Sequence, residues 1–550
     1  MAPSAEGKIP LGIAVTQLPV LPKSSGTYNL NERRQKMLEE VDKAKVSWFH
    51  VRVVLVAGAG FFTDAYDLFA INIAAVMLGY VYGHNQKLSA NQDLGVKVAS
   101  PVGTVFGQLL FGWLADVFGR KRMYGIEMML IIVATFGQAM AGQAHAANII
   151  GVLVVWRFIL GVGIGGDYPL SSVIPSEFAS TRIRGRMMVA VGANQGWGQL
   201  AAALTSFVIV SAYKSSLLRD DPLVLPHLDA MWRLLIGLGC VPGAVALYFR
   251  LTIPETPRFT VDVERNVRQA ARDVDNFLTL GTHNIDPDAV VERVRAPKAT
   301  KRDFVKFFSK RENLVPLLGM CYSWFAIDVA FYGLGLNTSI ILQAIGFGSP
   351  SADLKGSQAV YVNLKNISVG NIILSVAGLI PGVWTTFFLV DKWGRIPIQL
   401  LGFIMLTILY LIMGFAYHPL TATAAARKVF VFLYCLSNYF SNFGPNSTVG
   451  VVPGESFPTR YRSTAFGIAA ASGKLGAVVS QVGFGKLVNI GGPNAFVPHL
   501  LEIFAFFMLT GAMSTLVLKE GKRLTLEELS NEQQDSFIDE SAYNEKSRLA

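Results

Sequence analysis

Gly165-Gly166-Asp167-Tyr168-Pro169-Leu170 lies inside the apolar run from Ile149 to Val173. A carboxylate in the middle of a membrane-length hydrophobic helix costs about 2.5–3.5 kcal/mol on insertion scales. The two glycines let a neighbouring helix or a substrate approach the backbone closely. An acid kept at that depth faces a cavity and handles protons, ions or substrate. The stretch therefore reads as a transporter helix.

The rest of the chain agrees. Its 550 residues are 52% hydrophobic and 16% charged, against roughly 25% charged in ordinary soluble domains, which argues against a soluble enzyme. Apolar runs of membrane length recur along almost the whole sequence. The net charge of +10 is explained by basic residues gathered in alternate loops, as membrane topology demands, and not by nucleic acid. Cys240, Cys321 and Cys435 fall in apolar spans without metal-ligand spacing and read as packing residues, so no metal and no cofactor is expected. Residues 1–50 are polar, with no apolar core near Met1 that would make a cleavable signal, so insertion relies on the first span.

Twelve spans are expected, near 51–81, 95–115, 122–142, 149–177, 185–212 and 231–252, then 313–342, 366–390, 396–417, 428–454, 463–489 and 495–518. This predicts an all-α membrane protein with two six-helix pseudo-symmetric bundles, 51–253 and 313–518. A polar linker, 254–312, joins them, with tails at 1–50 and 519–550. Val261 to Leu280 has the composition of a surface helix, and Thr525 followed by Glu527 and Glu528 marks a short helix start. The basic clusters Arg120-Lys121-Arg122, Arg182 to Arg186, Lys392 with Arg395, and Arg460 with Arg462 put both termini in the cytoplasm. The halves also repeat each other. Asp116-Val117-Phe118-Gly119-Arg120 returns 275 residues later as Asp391-Lys392-Trp393-Gly394-Arg395. Pro175, Glu177, Thr181, Arg182 and Arg184 return 278 residues later as Pro453, Glu455, Thr459, Arg460 and Arg462. Duplicated bundles rocking about a midplane site are a known route to alternating access.

Gly112-Trp113-Leu114-Ala115-Asp116-Val117-Phe118-Gly119-Arg120-Lys121-Arg122 resembles the loop signature of the major facilitator superfamily, and Pro254-Glu255-Thr256-Pro257-Arg258 resembles a motif of its sugar-porter-like members. Gly165 to Leu170, continuing to Ser176-Glu177, closely resembles the signature of fungal and plant proton:phosphate symporters. Ile253 to Gly281 is similar to fungal high-affinity members. The resemblance covers roughly residues 45 to 530. It implies a multi-pass protein of the plasma membrane whose partners are inorganic phosphate, protons and the lipid bilayer.

Trp324, Asp328 and Tyr332 share one face of the seventh span at i, i+4, i+8. An indole N–H, a carboxylate and a phenol on one stripe suit an oxyanion that still carries a proton, and the carboxylate would repel sulfate. The alternative is an aromatic packing stripe with a satisfied acid. The resemblance adds Tyr168, Gln195 and Asn442 to Trp324, Asp328 and Tyr332 as phosphate contacts. On residue type alone, Gln195 and Asn442 could equally be helix–helix hydrogen bonds. Lys474 is a further anion-attracting candidate, or else a snorkelling or structurally paired lysine.

Asp64 and Asp67 lie i, i+3 on the first span and Asp167 on the fourth. Acids that close in a low dielectric cannot all stay ionised. Proton coupling is assigned to Asp64 and Asp167 with Asp67 in support. Arg157 is either the counter-ion that an incoming proton displaces or half of a structural ion pair. Asp116 with Arg120, Glu177 with Arg182 or Arg184, and their second-half copies read as ion-pair latches. The expectation is proton-coupled phosphate import. A same-fold carrier of glycerophosphodiesters or organic anions, or a phosphate sensor with little flux, stays open as an alternative. No P-loop, nucleophile-and-base motif or metal cluster points to an enzyme. Asn337-Thr338-Ser339 fits a glycosylation sequon.

Overall fold

The computed structural model describes residues 38–39, 41–44, 46–220, 225–251, 256–262, 300–344, 354 and 356–530. Twelve long helical segments run through them. The first half holds α1 (Trp48–Tyr82), α2 (Ala90–Phe118), α3 (Arg120–Ala139), α4 (Ile149–Phe178), α5 (Arg184–Ala212) and α6 (Pro226–Arg250, broken at Leu238-Gly239). The second holds α7 (Arg311–Gly335), α8 (Gly356–Trp393, with a wide turn at Ser375–Leu379) and α9 (Arg395–Phe415). It continues with α10 (Ala424–Asn442, resumed as Pro445–Ser456), α11 (Arg462–Leu487) and α12 (Val497–Thr515). Among the described residues, nine of these segments are apolar and long enough on their own to cross a bilayer; α3, α5 and α10 are more polar. The surface helix expected over Val261 to Leu280 lies outside the described residues beyond Asp262, as do Pro254 and Glu255.

The two copies of the Asp-x-x-Gly-Arg sequence make the same turn. Gly119 at φ 99° ends α2 and opens α3, and Gly394 at φ 111° does the same between α8 and α9. Those angles are strained for any residue with a Cβ, which explains glycine at both places. Packing repeats as well. In the first half α1 packs on α5 and α2 on α4; in the second, α7 packs on α11 and α8 on α10. The halves meet along α2 with α11 and along α5 with α8. Exchanging the halves turns each of those contacts into the other, as a duplicated unit about a central axis requires.

Burial is inverted relative to a soluble domain. Large apolar side chains such as Phe106, Phe136, Val208, Phe388, Phe432 and Phe506 stand exposed on the outside, while carboxylates and guanidinium groups are buried at the centre. That arrangement fits hydrocarbon outside and a polar interior. The end carrying the α2–α3 and α4–α5 turns is called the basic face below, and the opposite end the far face.

Candidate functional site

A cavity of about 50 Å³ lies between the halves, walled by Tyr168, Gln195, Trp324, Asp328, Tyr332, Asn442 and Lys474 with Phe61, Ser172 and Asn446 among others. These side chains come from α1, α4, α5, α7, α10 and α11, so the seventh-span stripe is joined by residues distant in sequence. Lys474 donates to Asp328 Oδ2 at 2.7 Å. Its ammonium also lies 4.8 Å from the Tyr168 ring centre and 4.3 Å from that of Tyr332. The two phenols, one from each half, are 3.3 Å apart. On the opposite wall, Asn446 donates to Gln195 Oε1 at 3.2 Å and to Asn442 Oδ1 at 2.9 Å. One cation, two phenols, an indole and three amides thus converge on a small buried volume.

Behind the α4 wall is a fully buried charge cluster. Arg250 donates to Asp167 Oδ1 at 2.7 Å, pairs with Glu127 and stacks 4.1 Å over the Tyr124 ring. Ser171 also donates to Asp167. Asp64 touches the Asp167 carboxylate, and neither of its oxygens meets an N–H or O–H donor among the described residues. Gly60 on α1 lets this cluster form, because a Cβ there would sit 2.7 Å from Arg250 Cζ and closer still to its Nη2 and to Asp167 Oδ2.

Asp67 and Arg157 form a different pair of neighbours. Thr135 donates to Asp67 Oδ2 at 2.7 Å, and Arg157 gives its Nε to the Val96 carbonyl at 2.6 Å and Nη1 to Gln138 at 3.4 Å. The guanidinium bonded to Asp167 is that of Arg250, not Arg157. Sequence reading missed Arg250 and Glu127, although each falls inside an expected span (231–252 and 122–142) and intramembrane charge was the signal to follow.

The basic face is closed by ion pairs in two symmetry-related sets. Arg120 contacts Asp116 at 3.1 Å and Glu177 at 3.3 Å; Arg395 contacts Asp391 at 3.1 Å and Glu455 at 2.8 Å. Each glutamate also takes an arginine from the opposite half, Arg462 on Glu177 at 2.8 Å and Arg184 on Glu455 at 3.0 Å. The latch pairing read from sequence is therefore corrected: Glu177 pairs with Arg120 and Arg462, while Arg184 reaches across to Glu455. Proximity along the chain suggested the wrong partner because the true one sits in the other repeat. Segments before α1 and after α12 join this face through buried Arg258, which holds Asp42 at 2.9 Å and Glu527 at 3.1 Å. Burial alone would raise Glu527, but the Arg258 guanidinium outweighs it and holds the carboxyl at about 2. The short helix Leu526–Leu529 starts at Thr525 as expected, with Thr525 Oγ1 accepting from Glu528 N.

A wider vestibule of about 780 Å³ opens at the far face and shares no lining residue with the central cavity. Asn337 sits at its floor. The sequon asparagine is buried and gives its Nδ2 to the Gly333 carbonyl and to Gln481 Oε1.

Among the described residues, twelve helical segments in two interchangeable halves about a buried polar cavity have the architecture of a helix-bundle transporter. The chain belongs to the sugar (and other) transporter family, whose pattern matches residues 53–532. A repressible high-affinity phosphate permease of Neurospora crassa is 47% identical over 523 residues, spanning 91% of this chain and 90% of that protein. The inorganic phosphate transporter PHO84 of Saccharomyces cerevisiae is 45% identical over 538 residues, spanning 93% and 89%. In fold, the chain is similar to the major facilitator superfamily proton:xylose symporter XylE, with a TM-score of 0.66 at 21% identity over 88% of this chain and 98% of that one. The superfamily fold expected from the loop signature is thereby borne out.

Proposed function

We propose that this chain imports inorganic phosphate with protons across the plasma membrane, the bundles 51–253 and 313–518 rocking about the central cavity. The basic face, the linker 254–312 and both tails are cytoplasmic in this reading. One observation carries it: side chains from both halves converge on a cavity of about 50 Å³ that contains a lysine, two phenols and an indole. A small buried volume with this lining suits a compact oxyanion. The 47% and 45% identity to two phosphate transporters supports the same substrate.

Chemically, an arriving phosphate competes with Asp328 for Lys474. The ammonium turns to the anion while Trp324 and the two tyrosines donate to it. Asp328, released, accepts from the P–OH group that sulfate lacks. Asp64 and Asp167 are the proton acceptors. Among the described residues no N–H or O–H donor meets Asp64, so taking a proton lowers the cost of a buried carboxylate that lacks a hydrogen bond. A proton on Asp167 weakens its hold on Arg250 and loosens α4 from α6. Asp67, under the field of Arg157, supports the charge balance of α1. Moving one negative charge inward against an inside-negative potential costs about 2.3 kcal/mol per 100 mV, so more than one proton per monoanion is needed for the potential to drive import.

The test is radiolabelled phosphate uptake into liposomes holding the purified full chain, with and without an inward proton gradient, for wild type and Asp328→Asn. Gradient-stimulated accumulation, lost in the variant and unaffected by sulfate, is the expected result. Binding without accumulation would make the protein a sensor, and no response to phosphate would remove the substrate.

A further inference from the structure

The vestibule at the far face has a chemistry of its own. Among the described residues its charged lining consists of Lys87, Lys97 and Asp93, and nine further lining residues carry side-chain amides. Lys97 is the unusual member. It sits on α2 only 3% exposed, although it lines this wide, open vestibule. Its ammonium donates to Asp93 Oδ2 at 2.8 Å and to Asn337 Oδ1 at 3.1 Å. An ammonium has three donors, so one hydrogen is without an assigned acceptor among the described residues. Asp93 is the weaker part of the pair, since its side chain stands 32% exposed. It can swing to water while Lys97 stays.

The acceptor Asn337 is held from behind. Its Nδ2 is bonded to Gly333 O and Gln481 Oε1, and Gln481 Nε2 donates to the Tyr332 carbonyl at 2.7 Å. This fixes the vestibule floor to the same helix that presents Tyr332 to the central cavity. Gln481 lies seven residues beyond Lys474 on α11, about 10 Å along the axis. Two buried lysines therefore stand at two levels of the molecule, each held by one aspartate. The lower aspartate is buried and the upper one is half in water.

We infer that Lys97, with Asn337 beneath it, forms a second anion site, a staging site in the vestibule that takes a compact oxyanion such as phosphate in exchange for Asp93. The inference rests on the phosphate reading above and adds an outer station to it. The ammonium supplies the charge, the amide-lined wall supplies hydrogen bonds to either protonation state, and Asp93 keeps the lysine neutralised when no anion is present. A cation focused in a low-dielectric vestibule raises the local anion concentration and the rate of capture, so its effect should appear in the dependence on substrate concentration.

Uptake by the full chain in liposomes tests this with three variants. Lys97→Met should raise KM for phosphate about five-fold or more, with kcat within about two-fold, and should flatten the dependence of KM on ionic strength. Asp93→Asn should shift KM in the opposite direction, by about two-fold, because it frees the ammonium. Lys97→Arg should keep the KM and salt dependence of wild type. A merely structural Lys97–Asp93 pair predicts that Lys97→Met and Asp93→Asn fail alike, in yield or in kcat, and that outcome overturns the site. An unchanged KM in Lys97→Met overturns it too. If wild type shows no phosphate uptake, the functional reading itself fails. Wild-type uptake with an indifferent Lys97→Met removes the staging site alone.

Discussion

Replacing Gly60 with alanine should destabilise this protein, against the ordinary rule for helices. In an exposed helix interior, Gly→Ala gains up to about 1 kcal/mol, because alanine costs less backbone entropy. At Gly60 the new methyl would sit 2.7 Å from Arg250 Cζ and inside the contact distance of Nη2 and of Asp167 Oδ2. None of these atoms can move into open space, since Arg250, Asp167 and Glu127 are all buried. The arginine must withdraw from Asp167. Breaking a buried pair so that a charge is stranded costs about 3–5 kcal/mol. Set against the propensity gain of about 1 kcal/mol, the net loss is about 2–4 kcal/mol. Thermal unfolding of the purified full chain in detergent measures this, with Gly151→Ala as the control. Gly151 lies on α4, and a methyl group there would meet nothing within 4 Å, so alanine at that position should be neutral or slightly stabilising. The cost of Gly60→Ala should also shrink in an Arg250→Met background, where the clashing group is gone. A Gly60→Ala protein that melts at or above wild type would refute the argument.

Four further outcomes follow from the same geometry. Lys474→Met and Asp328→Asn should each abolish uptake and each cost about 3–5 kcal/mol in stability; the double variant should regain most of the stability and none of the transport. Glu455→Gln removes the negative charge that pairs with both Arg184 and Arg395, so a cysteine at Met188, on the cavity wall, should react several times faster with an impermeant thiol reagent added at the basic face. Glu527, held at about 2 by Arg258, lies below its free value of 4.5. Its contribution is complete above pH 4.5 and is lost as pH falls from there through about 2. Limited proteolysis should release the C-terminal tail over that window in wild type, and already at neutral pH in Glu527→Gln. Finally, Asn337 is buried with its amide engaged, so glycosidase treatment of protein from a eukaryotic host should leave its mobility unchanged.

The parts of this molecule that were legible in its sequence are those that repeat or that break a local rule. Nine of the twelve helical segments follow from apolar length alone, and the duplicated unit, from two signatures with nearly equal offsets, calls for the other three. Trp324, Asp328 and Tyr332 stood out by their spacing on one helical face and Lys474 as a charge in an apolar span, whereas Tyr168, Gln195 and Asn442 came only from the family resemblance. Pairing was much less legible. Nothing in the order of residues says that Arg184 crosses to Glu455, because that contact exists only once the repeats face each other. Arg250 and Glu127 were hidden differently: Arg250 closes its helix, where a charge is easily read as a flanking residue, and Glu127 follows the basic run Arg120-Lys121-Arg122 within two turns of the start of α3. Yet both are fully buried, because the neighbouring helices extend past them. The buried Lys97 was missed for the same reason.

The two ends of the molecule are closed by different chemistry, and the difference bears on direction. At the basic face the halves are joined by desolvated ions, Arg184 with Glu455 and Arg462 with Glu177, reinforced by Asp116 accepting from the backbone N–H groups of Ser463 and Thr464 at 3.2 and 2.7 Å. At the far face they are joined by single hydrogen bonds: Ser339 to Asn72 at 3.1 Å, Asn72 to Asn371 at 3.4 Å and Lys97 to Asn337 at 3.1 Å. The two neutral bonds contribute about 0.5–1.5 kcal/mol net each and the one from the Lys97 ammonium about 1.5–3 kcal/mol, and water can replace all three as the vestibule widens. A buried arginine parted from its glutamate strands a charge at about 3–5 kcal/mol until water reaches it. Opening at the far face is therefore the less costly motion when the cavity holds no substrate. Opening at the basic face needs an additional stabilisation, which an anion between Tyr168 and Tyr332 and a proton on the Asp64–Asp167 pair would supply together. On the reading proposed above, a carrier divided in this way waits facing the far side and crosses only when loaded with both. That is the order of events that coupled import requires.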